Sequence, residues 1–289
     1  MIRRPARWLL AIGVALLALG GCTPLGALNT FMPADGGAEQ VAEGVRYGEH
    51  ERQRLDVYAP SENEAPAPVV VFIYGGSWDG GRRQDYEFVG RALASRGFVT
   101  VIPDYRLVPE VRYPAFVRDG AAVVEWARNN IDRYGGDTER LGVAGHSAGA
   151  YNAVMLGVAP RYVGAGADEP AFPVEAVAGL SGPYDFLPLD VAATKRAFAG
   201  VADLEATQPV NLVTEDGPPL FLATGASDGT VLPRNTKALA RRARESGRDV
   251  IEKQYAGVGH AGLLLALGRG FRGRAPVLAD LTAFFRRAL

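Results

Sequence analysis

The chain has 289 residues, of which 48% are hydrophobic and 22% are charged, and its formal net charge is −1. A nearly neutral chain with no basic cluster among its aromatic residues argues against nucleic-acid binding, so no nucleic-acid partner is expected. Three scattered histidines and one cysteine cannot form a zinc site, and we expect neither a metal nor a cofactor. Any chemistry must therefore come from side chains alone.

The N terminus predicts export. Arginines at positions 3, 4 and 7 precede an apolar stretch over residues 8–19, which is the layout of a secretory signal and is short for a bilayer span. The stretch ends in Leu-Gly-Gly-Cys, which resembles the bacterial lipobox and contains the only cysteine of the chain, Cys22. We predict a lipoprotein signal peptide over residues 1–21 and lipid attachment at Cys22, with an ordinary secretory signal as the alternative.

The residues after the lipobox indicate an address and a linker. Thr23, in the position after Cys22, resembles an outer-membrane address because it is not Asp. Residues 22–40 are rich in Gly, Pro, Ala and Asn and are predicted to be a tether, followed by one folded domain over residues 41–289. The prediction is an exported bacterial lipoprotein of the cell envelope, held at the outer membrane by its lipid.

Alternating strands and helices predict the fold class. Apolar, β-branched runs of strand length lie at 41–47, 55–58, 69–73, 98–102, 141–144, 176–180, 220–224 and 250–255. Helical patterns lie at about 86–95, 114–134, 148–158, 191–199, 233–246 and 275–288. We predict a single α/β domain with an eight-stranded, mostly parallel sheet covered by helices on both faces, and catalytic groups at the carboxyl ends of its strands.

The pattern G-x-S-x-G occurs twice, around Ser147 and around Ser227. Ser147 lies between a short apolar strand and a helix that starts at once, which is the strand, turn and helix context of a nucleophile elbow. The tight turn needs Gly or Ala around the nucleophile, as at Gly145 and Ala148. Several residues separate Ser227 from the next helix, so Ser147 is the predicted nucleophile.

The catalytic base follows from the small number of histidines. A serine needs a nearby imidazole to remove its proton, and His260, late in the chain, is the only histidine placed well for that role. His146 is expected to pack beside the elbow, and His50 is expected to be a solvated surface residue. With Ser147 as the nucleophile, Asp228 precedes His260 in the order Ser, Asp, His.

Together these motifs resemble the α/β-hydrolases of the esterase and lipase group, over roughly residues 41–289. The resemblance rests on the elbow, on a GG-x-W loop over residues 74–78, on the sequence Asp-Tyr-Arg-Leu at 104–107, and on Asp228 and His260. Tyr74 departs from the family, which most often has His there. Asp104 and Arg106 resemble the family's support for the oxyanion loop, and a plain buried ion pair explains them equally well.

The resemblance also implies site roles. Backbone N–H groups of Gly76 and Ser77 would form the oxyanion hole with that of Ala148, although paired glycines also occur in ordinary turns. Asp228 lies in the Gly-x-x-Asp-x-x-Val context that the family uses for its catalytic acid. Asp185, after strand six, is the rival and is expected to be a structural carboxylate.

The predicted activity is that of a serine carboxylic-ester hydrolase, a carboxylesterase-type enzyme that uses Ser147, His260 and Asp228 through an acyl-enzyme. Only about 35 residues (185–219) separate strands six and seven, so we expect an open cleft that prefers short acyl groups on varied alcohols, including bulky or polymeric ones, in a small-molecule or polymer-linked ester. An arylformamidase and a polysaccharide acetyl or feruloyl esterase are enzymatic alternatives. A catalytically silent α/β-hydrolase binding module is the non-enzymatic one.

Overall fold

The structure is a computed structural model that describes residues 25, 26, 29, 32–62, 65–162 and 174–289. The predicted signal peptide and Cys22 lie outside the described residues, whereas the predicted tether lies partly within them. In the described ranges, every helix is either too short or too polar to cross a bilayer.

One sheet of eight strands organises the domain. Its strands are β1 (Ala38–Arg46), β2 (Arg54–Pro60), β3 (Ala67–Ile73), β4 (Val99–Pro103), β5 (Gly136–His146), β6 (Ala176–Leu180), β7 (Leu220–Gly225) and β8 (Val250–Tyr255). The spatial order is β1-β2-β4-β3-β5-β6-β7-β8. Strand β2 runs antiparallel to both neighbours, and the pairs from β4 to β8 are parallel. The predicted fold class is confirmed.

Eight α-helices are present in the described ranges. They are α1 (Glu87–Ala94), α2 (Ala115–Asn130), α3 (Ala148–Val158), α4 (Ala192–Ala197), α5 (Pro209–Leu212), α6 (Arg234–Glu245), α7 (His260–Leu265) and α8 (Val277–Ala288). Helices α1 and α8 contact each other, and α2, α3, α5 and α6 form a second contacting series. The central strands β3 to β7 are therefore enclosed, and their continuous apolar sequences are typical of parallel strands covered on both faces.

The bounds of two strands and the number of helices differ from the predictions. Strand β1 begins at Ala38, three residues before the predicted domain start. Strand β5 begins at Gly136 rather than 141, because Gly136 pairs with Ala67 across β3. The short helices α5 and α7 were not predicted, since helices of four and six residues give too little periodicity to detect.

Part of the predicted tether packs on the domain. Asp35 forms two contacts of 2.6 Å with the guanidinium of Arg272, and Ala34 O accepts a hydrogen bond from Arg269. Asn29 Oδ1 accepts a hydrogen bond of 3.0 Å from the backbone N–H of Phe88, in the first turn of α1. The described residues before β1 are therefore attached to the folded domain and differ from a free linker.

Candidate active site

Ser147 lies in the sharp turn between β5 and α3. Its backbone angles are φ 56° and ψ −124°, a strained conformation for a residue with a side chain. A Cβ on Gly145 would lie 2.2 Å from the carbonyl oxygen of Gly149, so the turn closes only with glycine at 145. The strain holds Oγ at the carboxyl end of the sheet, where the elbow motif predicts it.

A hydrogen-bonded series links Ser147 to an acid through one imidazole. His260 Nε2 lies 2.9 Å from Ser147 Oγ, and His260 Nδ1 lies 2.9 Å from Asp228 Oδ2. Backbone N–H groups of Thr230 and Val231 donate to the other oxygen, Asp228 Oδ1, at 3.0 and 2.9 Å. The three predicted residues are therefore brought together although they lie 113 and 32 positions from one another.

The surroundings of Asp228 keep its carboxylate ionised. Burial raises the pKa of Asp228, but the hydrogen bonds from His260 and from the N–H of Val231 outweigh burial and lower it below its ordinary value. The turn that carries Asp228 is joined to the loop before His260, because Ser227 N donates to Val258 O at 2.9 Å. The acid and the imidazole are thus positioned by one connected unit.

The rival residues lie elsewhere. Ser227 is exposed in the turn after β7 and does not form an elbow. Asp185 is also exposed, and in the described part of the chain its backbone N–H, rather than its carboxylate, is bonded, to Asn235 Oδ1. The expectation that Asp185 is a structural carboxylate is therefore wrong, because solvent rather than protein surrounds its side chain.

The two other histidines have distinct surroundings. His146 packs beside the elbow, as expected, and its buried Nε2–H donates to the backbone oxygen of His260 at 3.1 Å. Burial, reinforced by the neighbouring His260, lowers the pKa of His146 to about 3. His50 is half-buried rather than a solvated surface residue, since its Nε2 contacts Glu110 at 2.6 Å and its Nδ1 accepts from Arg52 N.

The GG-x-W loop follows β3 and lies across from the elbow. Gly76 has φ 129°, and a Cβ there would lie 2.3 Å from Gly80 O, so only glycine fits. Ser77 and Trp78 also have positive φ values, of 56° and 59°. The backbone N–H groups of Gly76, Ser77 and Ala148 have no hydrogen-bond acceptor among the described residues. Three main-chain donors are therefore available beside Ser147.

Tyr74, the first residue of this loop, is linked through its hydroxyl and Arg52 to the segment that follows the loop. Its hydroxyl donates to Asp104 Oδ1 at 2.7 Å and accepts from the guanidinium of Arg52 at 2.8 Å. Arg52 also donates to Gly81 O at 2.8 Å, three residues after the end of the loop. Tyr105 donates to Tyr74 O at 3.0 Å. The phenol that replaces the family's usual histidine is thus the centre of a buried network.

Asp104 and Arg106 do not pair with each other. Asp104 accepts from the Arg83 guanidinium and from the Arg83 backbone N–H, both at 2.7 Å, whereas Arg106 forms its ion pair with Asp119 at 2.7 Å. Arg83 also bonds Asp56 at 2.7 Å. Burial raises the pKa of Asp56. The support for the GG-x-W loop therefore comes from Asp104, while Arg106 bonds Asp119 on α2.

Trp78 fixes the loop against the elbow helix. Its indole Nε1 donates to Asn152 Oδ1, on α3, at 3.1 Å. The buried ring stacks on Phe116 at 5.6 Å and meets Tyr151 and Phe198 edge-on. Loop and helix are therefore packed against each other, and this packing sets the spacing between the N–H groups of Gly76 and Ser77 on the loop and that of Ala148 on the helix.

Two cavities meet at Ser147. The larger, of about 440 Å³, has Leu25, Gly76, Tyr86, His146, His260 and Leu264 in its walls. The smaller, of about 180 Å³, has Trp78, Ala148, Phe186, Val191, Leu232 and Arg234 in its walls. Ser77, Ser147 and Thr230 line both cavities. An extended molecule could therefore place one end on each side of the nucleophile.

Most of these wall residues could not be found from sequence. Leu264 lies on α7, which is too short to predict, and Leu25 lies in the segment predicted as a tether. Phe186 lies in an irregular segment after β6, and Val191 directly precedes α4, where the predicted helical pattern begins but gives no sign of a cavity. Asn152 gave only the signal of a polar residue inside an apolar helix.

Within the described ranges, no three His, Cys, Asp or Glu side chains are grouped as a metal site would require. The groups that can act chemically beside the cavities are Ser147, His260, Asp228 and the main-chain donors. They can deliver a nucleophile, transfer a proton and stabilise an oxyanion.

Residues 55–242 match the BD-FAE family model. Esterase LipC of Mycobacterium tuberculosis is 31% identical over 75% of this chain and 58% of its own length. A probable isoprenylcysteine alpha-carbonyl methylesterase, ICMEL1 of Oryza sativa subsp. japonica, is also 31% identical, over 79% of this chain and 59% of its own. The chain thus spans about three fifths of the length of these curated relatives.

Solved structures of esterases have the same fold. Esterase B from Lactobacillus rhamnosis, inhibited by a tributyrin phosphonate, superposes with a TM-score of 0.79 at 19% identity, over 97% of this chain and 94% of its own. A truncated carbohydrate esterase from gut microbiota superposes with a TM-score of 0.75 at 21% identity, over 89% and 99%. The resemblance to the α/β-hydrolases of the esterase group is confirmed at the level of fold.

Proposed function

The chain belongs to the BD-FAE family, and on that premise we propose that it is a serine carboxylic-ester hydrolase of the carboxylesterase type. The observation that carries the proposal is the series Ser147, His260 and Asp228, with both separations at 2.9 Å, at the junction of two cavities. A catalytically silent binding module has no physical need for this geometry.

Each residue has a chemical role. Ser147 Oγ attacks the ester carbonyl while His260 Nε2 takes its proton, and the imidazolium then gives that proton to the leaving alcohol oxygen. Asp228 accepts the Nδ1–H bond, fixes the tautomer and stabilises the imidazolium charge. Water then repeats the sequence on the acyl-enzyme. The carbonyl oxygen would accept from the N–H groups of Gly76, Ser77 and Ala148, each typically worth about 3 kcal/mol of barrier.

The two cavities support an assignment of the two halves of the ester. His260 lines the larger cavity and is absent from the walls of the smaller one. Because His260 must reach the leaving oxygen, the alcohol half belongs in the larger cavity and the acyl half in the smaller. The smaller cavity, of about 180 Å³, has less than half the volume of the larger, of about 440 Å³, so it is the one that would take the shorter half of the ester. Short acyl esters of bulky alcohols are therefore the proposed substrates.

The name of the ICMEL1 relative describes a methylesterase, an enzyme that releases a one-carbon alcohol from a larger acyl half. This is the opposite of the proposed preference for a short acyl half and a bulky alcohol. Methyl esters of bulky acids should be poor substrates here. Efficient hydrolysis of such esters would reverse the assignment of the cavities. Formanilides test the arylformamidase alternative, and acetylated or feruloylated xylan tests the polysaccharide alternative.

Labelling with a fluorophosphonate probe, followed by peptide mapping, tests the nucleophile. The adduct should map to Ser147, and Ser147→Ala should abolish both labelling and the hydrolysis of p-nitrophenyl acetate. Ser227→Ala is the matched control, because it changes the other G-x-S-x-G serine, and it should keep labelling and turnover. An adduct on Ser227 would contradict the proposal.

Export and lipid attachment at Cys22 remain part of the proposal, supported by the lipobox resemblance of the sequence. The protein would then be anchored in the cell envelope, at the outer membrane. Cys22→Ser should abolish incorporation of labelled palmitate and release the protein from the membrane fraction. Membrane-free mature protein with an unmodified Cys22 would rule out the anchor.

A further inference from the structure

Residues 25, 26, 29 and 32–37, here termed the N-terminal arm, pack beside the larger cavity. Leu25 lines that cavity together with Ser147 and His260. Leu25 is partly buried against the hydrophobic core. We propose that the N-terminal arm is a wall of the larger cavity and that Leu25 selects the alcohol half of the ester. This inference rests on the proposed esterase function.

Contacts of Asn29, Met32 and Asp35 hold the arm at this place, in addition to the hydrogen bond of Ala34. Asn29 bonds α1 through the N–H of Phe88, and its amide donates to Gln84 O at 3.3 Å. Met32 Sδ approaches the chain so closely at Gly268 that a Cβ there would lie 2.2 Å away. These contacts lie on the segment that carries Tyr86 and on the segment that follows α7, and Tyr86 and α7 both contribute to the walls of the cavity.

The third contact is an ion pair that joins the arm to α7. Asp35 and Arg272 form two contacts of 2.6 Å, and both side chains are largely buried. Arg272 also donates to Leu267 O at 3.0 and 2.9 Å, just beyond the end of α7. Because α7 begins with His260 and contributes Leu264 to the same cavity, Asp35 links the arm to the segment that follows another part of the cavity wall.

An apolar side chain at this place acts on substrate choice rather than on bond breaking. Leu25 is remote in sequence from the reacting groups, and its carbon atoms can neither donate nor accept a proton. Its volume sets how large an apolar group fits beside Ser147, and such contacts discriminate ligands that differ by a few carbon atoms. Leu25 is therefore a specificity-determining residue.

The test uses full-length Leu25→Trp and Leu25→Ala with two ester series. In the alcohol series the acyl group is always acetyl, and the alcohols are ethanol, phenol and 2-naphthol. In the acyl series the alcohol is always p-nitrophenol, and the acids are acetic and butyric. Leu25→Trp should lower kcat/KM for 2-naphthyl acetate relative to ethyl acetate by about tenfold and leave the butyrate to acetate ratio unchanged. Leu25→Ala should raise the ratio of kcat/KM for 2-naphthyl acetate to that for ethyl acetate.

Leu232→Trp provides the matched control, because Leu232 lines only the smaller cavity. It should lower the butyrate to acetate ratio and leave the alcohol series unchanged. Arg272→Gln should weaken the hold on the arm and shift the alcohol series in the same direction as Leu25→Ala. Arg287→Gln, which removes an exposed ion pair with Asp249, should shift neither series.

The outcomes separate this inference from the esterase proposal. Unchanged ratios in both Leu25 variants would overturn the role of the arm while leaving the esterase proposal intact, provided that fluorophosphonate still labels Ser147. A shift of the acyl series alone would overturn the inference as well, since Leu25 would then select the acid half. An absence of ester hydrolysis in the unmodified protein would contradict the esterase proposal itself.

Discussion

The ring of His146 lies against the ring of His260, with the centroids 4.7 Å apart, and His146 Nε2–H donates to the backbone oxygen of His260 at 3.1 Å. The hydrogen bond fixes the start of α7 at the residue that carries the imidazole. Because burial lowers the pKa of His146 to about 3, His146 stays neutral at neutral pH. It therefore adds no positive charge beside His260 when His260 accepts the proton of Ser147.

The low pKa of His146 predicts a loss of stability in mild acid. Unfolded histidine binds a proton below about pH 6.5, while folded His146 remains neutral until about pH 3. Between these two values the unfolded state binds more protons than the folded state. The unfolding free energy therefore decreases as the pH is lowered from about 6.5 to about 3. Between pH 7 and pH 4.5 this residue should cost roughly 2–3 kcal/mol of unfolding free energy.

His146→Gln isolates that contribution, since Gln can donate to the same carbonyl but does not titrate. Urea unfolding of both proteins at pH 7 and pH 4.5 measures the difference. The Gln variant should lose less stability than the unmodified protein by about the same 2–3 kcal/mol. Equal losses in the two proteins would show that His146 is protonated in the folded state.

The two carboxylates after β6 and β7 should respond differently to the same change. Asp228→Asn should lower kcat by roughly 10²–10⁴-fold, because the amide no longer selects the tautomer that leaves His260 Nε2 free to accept a proton. Asp185→Asn should change kcat and the melting temperature little, since the Asp185 side chain is exposed. Steady-state kinetics and thermal unfolding of both variants measure this contrast, and a reversed ranking would assign the acid to Asp185.

Tyr74→Phe should loosen the oxyanion loop. The change removes the buried hydroxyl that bonds Asp104 and Arg52, and a hydrogen bond to a charged group typically contributes about 1.5–3 kcal/mol. We expect a lower unfolding free energy and a fall in kcat greater than the change in KM, because the loop donors would be less well held for the transition state.

Tyr86→Phe is the control for that variant. Tyr86 packs on Tyr74 at 5.1 Å, but among the residues that the structure describes its hydroxyl has only a long contact of 3.5 Å, with Gly75 O. Its unfolding free energy should fall by less than about 1 kcal/mol. Equal effects on stability and kcat in both variants would show that the Tyr74 hydroxyl has no special role.

Chain length in the acyl half should matter strongly. Hydrolysis of p-nitrophenyl acetate and butyrate should exceed that of the palmitate ester by at least about 10²-fold in kcat/KM, because the acyl half is assigned to the smaller cavity, of about 180 Å³, and most of a sixteen-carbon chain would extend beyond its apolar walls into solvent. Rates measured below the solubility limit of each ester test this. Faster hydrolysis of palmitate, or activation at a lipid interface, would contradict the proposed acyl preference.

The sequence by itself determined the fold class and the identity of the residues that meet at the elbow. Strand and helix periodicity extends over many residues, so eight strands and the longer helices could be predicted from it. The Ser147 motif combines glycines with a strand and a helix, and only three histidines occur in the chain, so few combinations had to be considered. These signals are local in the chain, so they can be detected without knowledge of contacts between distant residues.

Only the tertiary structure decided the partners of the buried charges and the walls of the cavities. Asp104 pairs with Arg83 rather than Arg106, and Arg106 pairs with Asp119, because charge partners depend on which segments the sheet brings together. Leu25 reaches the cavity from a segment whose composition is typical of a linker. The two charge pairs join residues 21 and 13 positions apart in different elements of the fold, and Leu25 is separated from Ser147 by most of the first half of the chain. Neither composition nor periodicity identifies such partners, since both describe only neighbours along the chain.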